Sequence, residues 1–498
     1  MPPRAQWADL PVRRGRDLYT GLVRDRPFVH NPHGHDALAL LSRRADLWLR
    51  AADGRAAGEI AAELAVDAAA AQTWLSELPL LLRNGFLLAP GVRPWRPKGP
   101  GERVFHAWLH LTNACNLACP YCYIHKTPTH MGDAAVAHTL TAIEATARSG
   151  EVDRIHVRFA GGEPMLRFAA MQRFYEEATA RCQAHGVRFG AAILTNGTVV
   201  PAGAVQWCRE RGVQVSVSID GVGPMQDVMR PVVGGGSSFA RVEAGLDAWQ
   251  AGGIRPYALV TVGASNLDGL PALASYLMQR QLGFRFSLVR DLEWGAGLLD
   301  DRHGAQAPHS YDATLPSGLL AGEPLRRLQR ALGATYDLIE AEVGRGTLQP
   351  SFRRTHKFCD LEPWRPIAKA CGAGETYVAI SEQGEVGACQ AALHHTGTRP
   401  LAASSLVAQA RGQTQLSSWQ RGLGNDECNR CRHKPSCAGG CPLLLHRREG
   451  HVDGRSPYCE VFRAVLPRIL RIAALEMWVG RERQRTLHTA PPMDPPGP

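Results

Sequence analysis

At 498 residues the chain exceeds what one ordinary core serves, and about two to four domains are expected. A composition of 45% apolar and 20% charged residues reads as soluble and globular, and no apolar run reaches the length of a membrane span. The formal charge of +10 is spread along the chain, mostly on Arg, which argues for a solvated basic surface over a nucleic-acid patch and also suits an acidic peptide partner.

The first residues, MPPRAQWADLPVRRGRD, lack the apolar stretch of a signal peptide, so the cytoplasm is the expected location. Residues 1–35 show no clear periodicity. From about 36 to 90 the pattern is short and helical: Leu38, Leu41 and Leu49 share a face of DALALLSRRADLWLRAA, and GEIAAELAV repeats the theme. A third segment spaces Leu75, Leu78 and Leu82 helically with Pro79 as a kink; Gly85 then suits a helix C-cap and Phe86–Leu88 a small strand. Three short helices and a wing describe a winged-helix domain over residues 1–95. Four prolines mark residues 89–103 as a linker.

Beyond the linker, strands and helices alternate. Six strand candidates (VFHAWLHLT, IHVRFAGGE, VRFGAAILTNG, VQVSVSID, RPYALVTVG and FRFSLVR) are separated by helical segments such as DAAVAHTLTAIEATARSG. This order implies parallel strands with right-handed crossovers, and six units suggest a partial (β/α)6 TIM-like barrel over about 96–345. CNLACPYC, GGEP, TNGT and SIDG follow the first four strands in turn, at the end of a parallel barrel where active sites form. Residues 291–322 read as loop, about 325–344 as helix, 346–465 as a cysteine-rich domain, and 466–498 as a final helix with a disordered Pro-rich tail.

Of thirteen cysteines, three fall within 115–122 and seven within 371–459, a clustering that points to metal or redox chemistry. Cys115, Cys119 and Cys122 could wrap one corner of a 4Fe–4S cube and leave one iron without a protein ligand. A zinc site with a remote fourth ligand is the bland alternative. On this C-x3-C-x2-C motif, placed on the loop after the first barrel strand, residues 104–290 resemble the radical S-adenosylmethionine superfamily. The resemblance implies that the open iron chelates S-adenosylmethionine, and that an electron from the cluster yields a 5′-deoxyadenosyl radical able to abstract hydrogen from an unactivated C–H bond. It further implies an aromatic near the adenine at Tyr121, and a GGE motif at Gly161, Gly162, Glu163 and Pro164 that meets the amino group. Ribose or carboxylate contacts fall at Ser218 and Asp220, with Asn196 and Arg230 as further candidates.

The second group, Cys428-x2-Cys431-x5-Cys437-x3-Cys441, with Cys371 and Cys389 upstream and Cys459 downstream, resembles the SPASM extension of peptide-modifying radical enzymes over about 359–465. The resemblance implies two auxiliary 4Fe–4S clusters, and so three clusters in all. Cys428, Cys431, Cys437 and Cys459 would hold the distal one, and Cys371, Cys389 and Cys441 the nearer one, either open or closed by Cys359. A zinc ribbon would account for four of the seven. Auxiliary clusters offer a route for a second electron, hence a net two-electron oxidation of a peptide.

The motifs DLWLRAADGRAAGEIAAEL and LLRNGFL resemble the peptide-recognition element of ribosomal-peptide maturation systems, which implies an extended leader gripped by strand addition. DNA binding is the competing reading, but the second and third helices offer few Lys or Arg to meet phosphates. Sulfatase-maturing enzymes typically place an Asp after the cysteine matching Cys389, and here that residue is Gln390. The expectation is therefore an oxygen-sensitive maturase that installs a thioether, C–C or C–O crosslink in a ribosomal precursor peptide. It would draw electrons from a flavodoxin- or ferredoxin-type reductant. Formylglycine formation and a non-catalytic iron–sulfur electron carrier are the alternatives. No catalytic base can be singled out from the candidates in 291–365.

Overall fold

The computed structural model describes residues 6–96, 101–124, 126–289, 322–348, 356–393, 398–412, 426–449 and 455–489. The tail from 490, most of the 291–322 segment and many of the base candidates in 291–365 lie outside them.

The N-terminal region contains more strand than its sequence suggests. β1 (Pro11–Arg14), β2 (Tyr19–Val23), β3 (Arg26–His30) and β4 (Leu38–Leu40) precede the first helix, Arg43–Ala51. The expected helix across 36–52 is thus corrected. Leu38–Leu40 pairs antiparallel with Phe28–His30, and the helix starts only where the Ser42 side chain accepts from the Ala45 amide. The periodicity misled because Leu38 and Leu40 also satisfy the period-2 pattern of a strand. β5 (Asp53–Ala56) and β6 (Leu87–Leu88) flank β1 in one small sheet, while β2, β3 and β4 form another. The third helical segment is two helices, Ala68–Leu75 and Leu78–Arg83, with Pro79 in the first turn of the second rather than at a kink. Gly85 stands at φ +66° just past that helix, the left-handed conformation that ends a helix without penalty only for glycine.

The buried Trp48 donates from its indole to the Trp74 carbonyl and centres a separate core with Ile60, Leu78 and Phe86. The β2-β3-β4 sheet is shared between cores: Val29 packs into this one, while Val23, Phe28, Leu38 and Leu40 join the main core.

The central sheet comprises β7 (Val104–Thr112), β8 (Arg154–Gly161), β9 (Arg188–Thr195), β10 (Gln214–Ser218), β11 (Tyr257–Val262) and β12 (Phe284–Leu288), all parallel and in sequential order. Its helices are amphipathic in the ordinary way. Phe168–Gln183, for example, buries Met171, Phe174, Tyr175, Ala178 and Cys182 at helical spacing. Cys182 and Cys208, the two cysteines outside every motif apart from Cys359, are core residues of such helices.

The cysteine-rich segment is woven into this sheet. β13 (His356–Phe358) pairs parallel with β12 at one edge, and β14 (Tyr377–Ile380) pairs parallel with β7 at the other. β15 (Glu385–Gly387) and β16 (Arg399–Pro400) extend that second edge antiparallel. The six-stranded expectation therefore becomes eight parallel strands, two of them short and invisible to periodicity. The 24-residue helix Gly322–Arg345 packs against the C-terminal helix Cys459–Thr489, which begins at Cys459 and not near 466. No described helix is long and apolar enough to cross a membrane.

Candidate active site

The CNLACPYC loop leaves the C-terminal end of β7 and is held on two sides by backbone hydrogen bonds. On one side the Gly162 amide donates to the Thr112 carbonyl at 2.7 Å and the Glu163 amide to the Ala114 carbonyl at 2.8 Å. Side chains on the glycines would collide here: a Cβ on Gly161 would overlap the Thr112 carbonyl oxygen, and one on Gly162 that of Ala114. Gly161 also takes φ +117°, so the motif needs glycine for both conformation and close approach. On the other side the Ala118 amide donates to Pro231 at 2.8 Å and the Val233 amide to Asn116 at 3.0 Å.

Cys115, Cys119 and Cys122 gather with Leu117, Tyr121 and Val232 in one small cluster. Burial raises the Cys115 thiol pKa and pushes that of Cys119 up to about 11. Donors nevertheless point at the sulfurs. The Leu117 amide is 3.4 Å and the Asn196 amide nitrogen 3.7 Å from Cys115 Sγ, and Arg230 Nη1 is 4.0 Å from Cys119 Sγ. Soft sulfur ligands ringed by N–H donors fit an anionic iron–sulfur group, whose potential such donors tune. Among the described residues no three His, Cys, Asp or Glu side chains stand in position to hold one metal ion. The thiolates of a cube bind separate irons and do not require such convergence.

Glu163 is fully buried, and its carboxylate accepts from Thr195 Oγ1 at 2.7 Å, the Asn196 amide at 2.7 Å and the Met165 amide at 2.9 Å. Burial raises its pKa to about 7 against these three donors. Its carboxylate thus braces the loops after β8 and β9, and buried Pro164 opens the short turn that follows. Asn196 Nδ2 reaches Asn116 Oδ1 at 2.8 Å, joining the loop after β9 to the cysteine loop.

Asp220, two residues past Ser218 at the end of β10, is the other buried anchor. It receives Arg230 Nε at 2.7 Å and the Thr261 amide at 2.7 Å, and its own amide donates to Gln226 Oε1 at 2.7 Å. Tyr121 donates its hydroxyl to the same carboxylate, with the Arg230 guanidinium 5.5 Å from its ring centroid. Burial holds the Tyr121 phenol neutral, its pKa well above the ordinary value. The sequence candidates Tyr121, Asp220 and Arg230 are therefore one connected network beside the cysteine loop, while Asn196 joins that loop through Asn116 and the Glu163 carboxylate. Sequence reasoning missed its supports Asn116, Thr195, Gln226 and Asn266. Asn116 and Thr195 lie inside the CNLACPYC and TNGT motifs, but Gln226 and Asn266 carry no motif, and only their burial and their hydrogen bonds to the Asp220 backbone single them out.

The second group divides as the structure places it. Cys428, Cys431, Cys437 and Cys459 line one pocket together with Arg455 and Arg463. Cys389 and Cys441 meet elsewhere, beside Tyr123, Ala391 and Leu443. Cys371 is exposed but near enough to bear electrostatically on Tyr377, as Cys389 does. Cys359 follows β13, at the far edge of the sheet, where it bears on Tyr257 instead. Gln390 accepts from the Tyr377 hydroxyl at 2.6 Å.

An open parallel sheet carrying a three-cysteine loop and a buried carboxylate network at its C-terminal strand ends defines a radical-enzyme scaffold. Residues 109–272, about a third of the chain, match the Radical SAM superfamily. Its sequence is 27% identical over 360 residues to the serine-type anaerobic sulfatase-maturating enzyme of Klebsiella pneumoniae, covering 67% of this chain and 80% of that one. It is 26% identical over 361 residues to the mycofactocin maturase MftC of Mycolicibacterium smegmatis, covering 70% and 81%. A solved structure of native anSMEcpe with bound AdoMet and Cp18Cys peptide shares the fold, with a TM-score of 0.58 at 16% identity over 74% of this chain and 99% of that one.

Proposed function

We propose that the chain is a maturase that binds a ribosomally made precursor peptide and forms an intramolecular crosslink in it, of the thioether, C–C or C–O kind. The observation that carries this reading is the coexistence of two unlike cysteine sites. One is a three-cysteine loop at the strand ends, and the other is a four-cysteine pocket set apart from it. Cys115, Cys119 and Cys122 would hold the first 4Fe–4S cluster, with Gly161, Gly162, Asn196, Ser218 and the Tyr121–Asp220–Arg230 network around its S-adenosylmethionine. Together they would supply a 5′-deoxyadenosyl radical for hydrogen abstraction. Within that site the chain's own residues do the positioning: Glu163 fixes two loops, and Asp220 holds Arg230 and Tyr121 in place. Cys428, Cys431, Cys437 and Cys459 would hold a fully ligated cluster that carries away the second electron, and Cys371, Cys389 and Cys441 a third cluster between them.

One named relative is a sulfatase-maturating enzyme, and the solved structure that shares the fold holds a Cp18Cys peptide, so a protein or peptide substrate suits this chain. The N-terminal region supports a leader-binding role. Leu47, Val66, Leu80 and Leu88 are exposed there, and the helices Ala57–Leu64 and Ala68–Leu75 carry no Lys or Arg for phosphate contact. Gln390 favours crosslinking over formylglycine formation, because an amide hydrogen-bonded to Tyr377 cannot take the proton that a carboxylate there would accept.

The test is anaerobic incubation of the reduced protein with S-adenosylmethionine and the small peptide encoded beside its gene. Mass spectrometry should show a peptide lighter by one pair of hydrogens. An unchanged peptide despite 5′-deoxyadenosine formation would count against crosslinking, and no cleavage of S-adenosylmethionine at all would favour an electron carrier.

A further inference from the structure

The inner face of the sheet carries charge that the cluster chemistry does not use. On β7 and β8, Phe105, Ala107 and Leu109, and Ile155, Val157 and Phe159, pack outward into the main core. The alternation of a strand turns His106 and Trp108, and His156 and Arg158, to the opposite face. On β12, Phe284 and Phe286 pack outward, which turns Arg285 to the same inner face. Parallel barrels ordinarily fill this space with branched apolar side chains.

The guanidinium groups of Arg158 and Arg285 are electrostatic neighbours. Burial lowers the Arg158 pKa and Arg285 lowers it further, while Tyr377 acts in the opposite sense. Among the described residues neither guanidinium has a carboxylate in ion-pair range. Arg285 Nε, Trp108 Nε1, His106 Nδ1 and His156 Nδ1 are buried with no hydrogen-bond partner in the protein. The two histidine rings stand edge to face, 5.5 Å apart. Burial and the adjacent Arg158 hold both neutral, so they add polar atoms rather than charge. Tyr377 is committed to Gln390 and remains a neutral phenol, so its own hydroxyl does not offset the arginines.

We propose that Arg158 and Arg285 form a carboxylate-binding site on the inner face of the sheet, below the cysteine loop, which selects a peptide bearing an acidic group next to the residue that reacts. Two forked donors in a half-buried setting suit a carboxylate, and the low-dielectric walls focus their field. The carboxylate comes either from an Asp or Glu side chain of the substrate or from its C-terminus. The site rests on the peptide-maturase reading for its purpose but not for its existence.

The test uses the full chain, reconstituted anaerobically, and calorimetry with two matched probe pairs. The first is Ac-Ala-Glu-Ala-NH2 against Ac-Ala-Gln-Ala-NH2, and the second Ac-Ala-Ala-OH against Ac-Ala-Ala-NH2. In at least one pair the acid should bind about tenfold tighter than its amide. A preference in the first pair assigns a side-chain carboxylate, and one in the second the C-terminus. Arg158→Gln and Arg285→Gln should each bring the two members of the pair within about twofold. Arg158→Lys and Arg285→Lys, which keep the charge without the fork, should retain part of the preference. The iron–sulfur absorbance of every variant reports folding. Equal binding of acid and amide in both pairs, or a preference that survives in the double Gln variant, overturns the site. An intact acid preference alongside an unmodified precursor peptide would uphold the site and count only against the maturase reading.

Discussion

On the proposed reading, the two cysteine sites would solve opposite problems with the same ligand type. At CNLACPYC three thiols share their surroundings with a network of buried polar groups: Glu163, Asp220 and Arg230 reach the loop directly or through one neighbour. In the pocket of Cys428, Cys431, Cys437 and Cys459 four thiols surround the space themselves, and the charged groups beside them, Arg455 and Arg463, are about two-fifths exposed. A site that must hold a reacting molecule needs a ligand short and a rigid polar frame. A site that only passes electrons needs a full ligand set and little else.

The largest effect that tests this contrast is Cys119→Ala, which should reduce S-adenosylmethionine cleavage at least about a thousandfold as the first cluster is lost. Release of 5′-deoxyadenosine measures it, and near-normal release would place the radical chemistry elsewhere. Cys431→Ala should act differently, lowering iron content by about a third while cleavage of S-adenosylmethionine continues without peptide product. Equal loss of both activities in that variant would erase the distinction between the sites.

Smaller effects probe the frame. Asp220→Asn leaves the buried Arg230 without its counter-charge and should cost about 3–5 kcal/mol, visible as a lower midpoint in denaturant and weaker S-adenosylmethionine binding. Gly162→Ala should displace the Glu163 loop from the cysteine loop, costing about 1–3 kcal/mol and most of the activity while the four-cysteine pocket keeps its iron.

The smallest effect concerns how the second site is tethered. His30 is buried with Nε2 2.7 Å from the Pro363 carbonyl oxygen, and the next residue but one back along that segment, Leu361, adjoins Glu362, whose amide donates to Ser436 beside Cys437. Burial lowers the His30 pKa to about 4 from 6.5. The unfolded chain therefore binds the extra proton first. The stability contributed by neutral His30 is complete above about pH 6.5 and is lost as the pH falls toward 4, by at most about 3 kcal/mol. A His30→Gln variant should show a shallower fall in melting temperature over that window. An unchanged slope would remove His30 as the cause.

The chemistry-bearing loops were legible because their constraints are local. The spacing of Cys115, Cys119 and Cys122, the paired glycines before Glu163 and the strand–motif alternation each occupy a few consecutive residues. The N-terminal strands were not, since Pro11–Arg14 and Tyr19–Val23 are too short for a period to register; the first takes its partners from Asp53–Ala56 and Leu87–Leu88 far along the chain, and the second forms a hairpin with Arg26–His30. β13 and β14 escaped for the same reason, being three and four residues long.

The sequence by itself determined which cysteines share a loop and at what spacing, and so which atoms the proposed clusters would use, because spacing follows from covalent geometry. Only the tertiary structure decided how the remaining charges are used. It turned Glu163 inward onto Thr195 and Asn196, joined Tyr121 to Arg230 through Asp220, and set Arg158 and Arg285 together on the inner face. These partners are separated by tens of residues or more, apart from Asp220 and Arg230. Whether a charge in such a setting is balanced or left to a ligand depends on strand register and burial, which no single segment encodes.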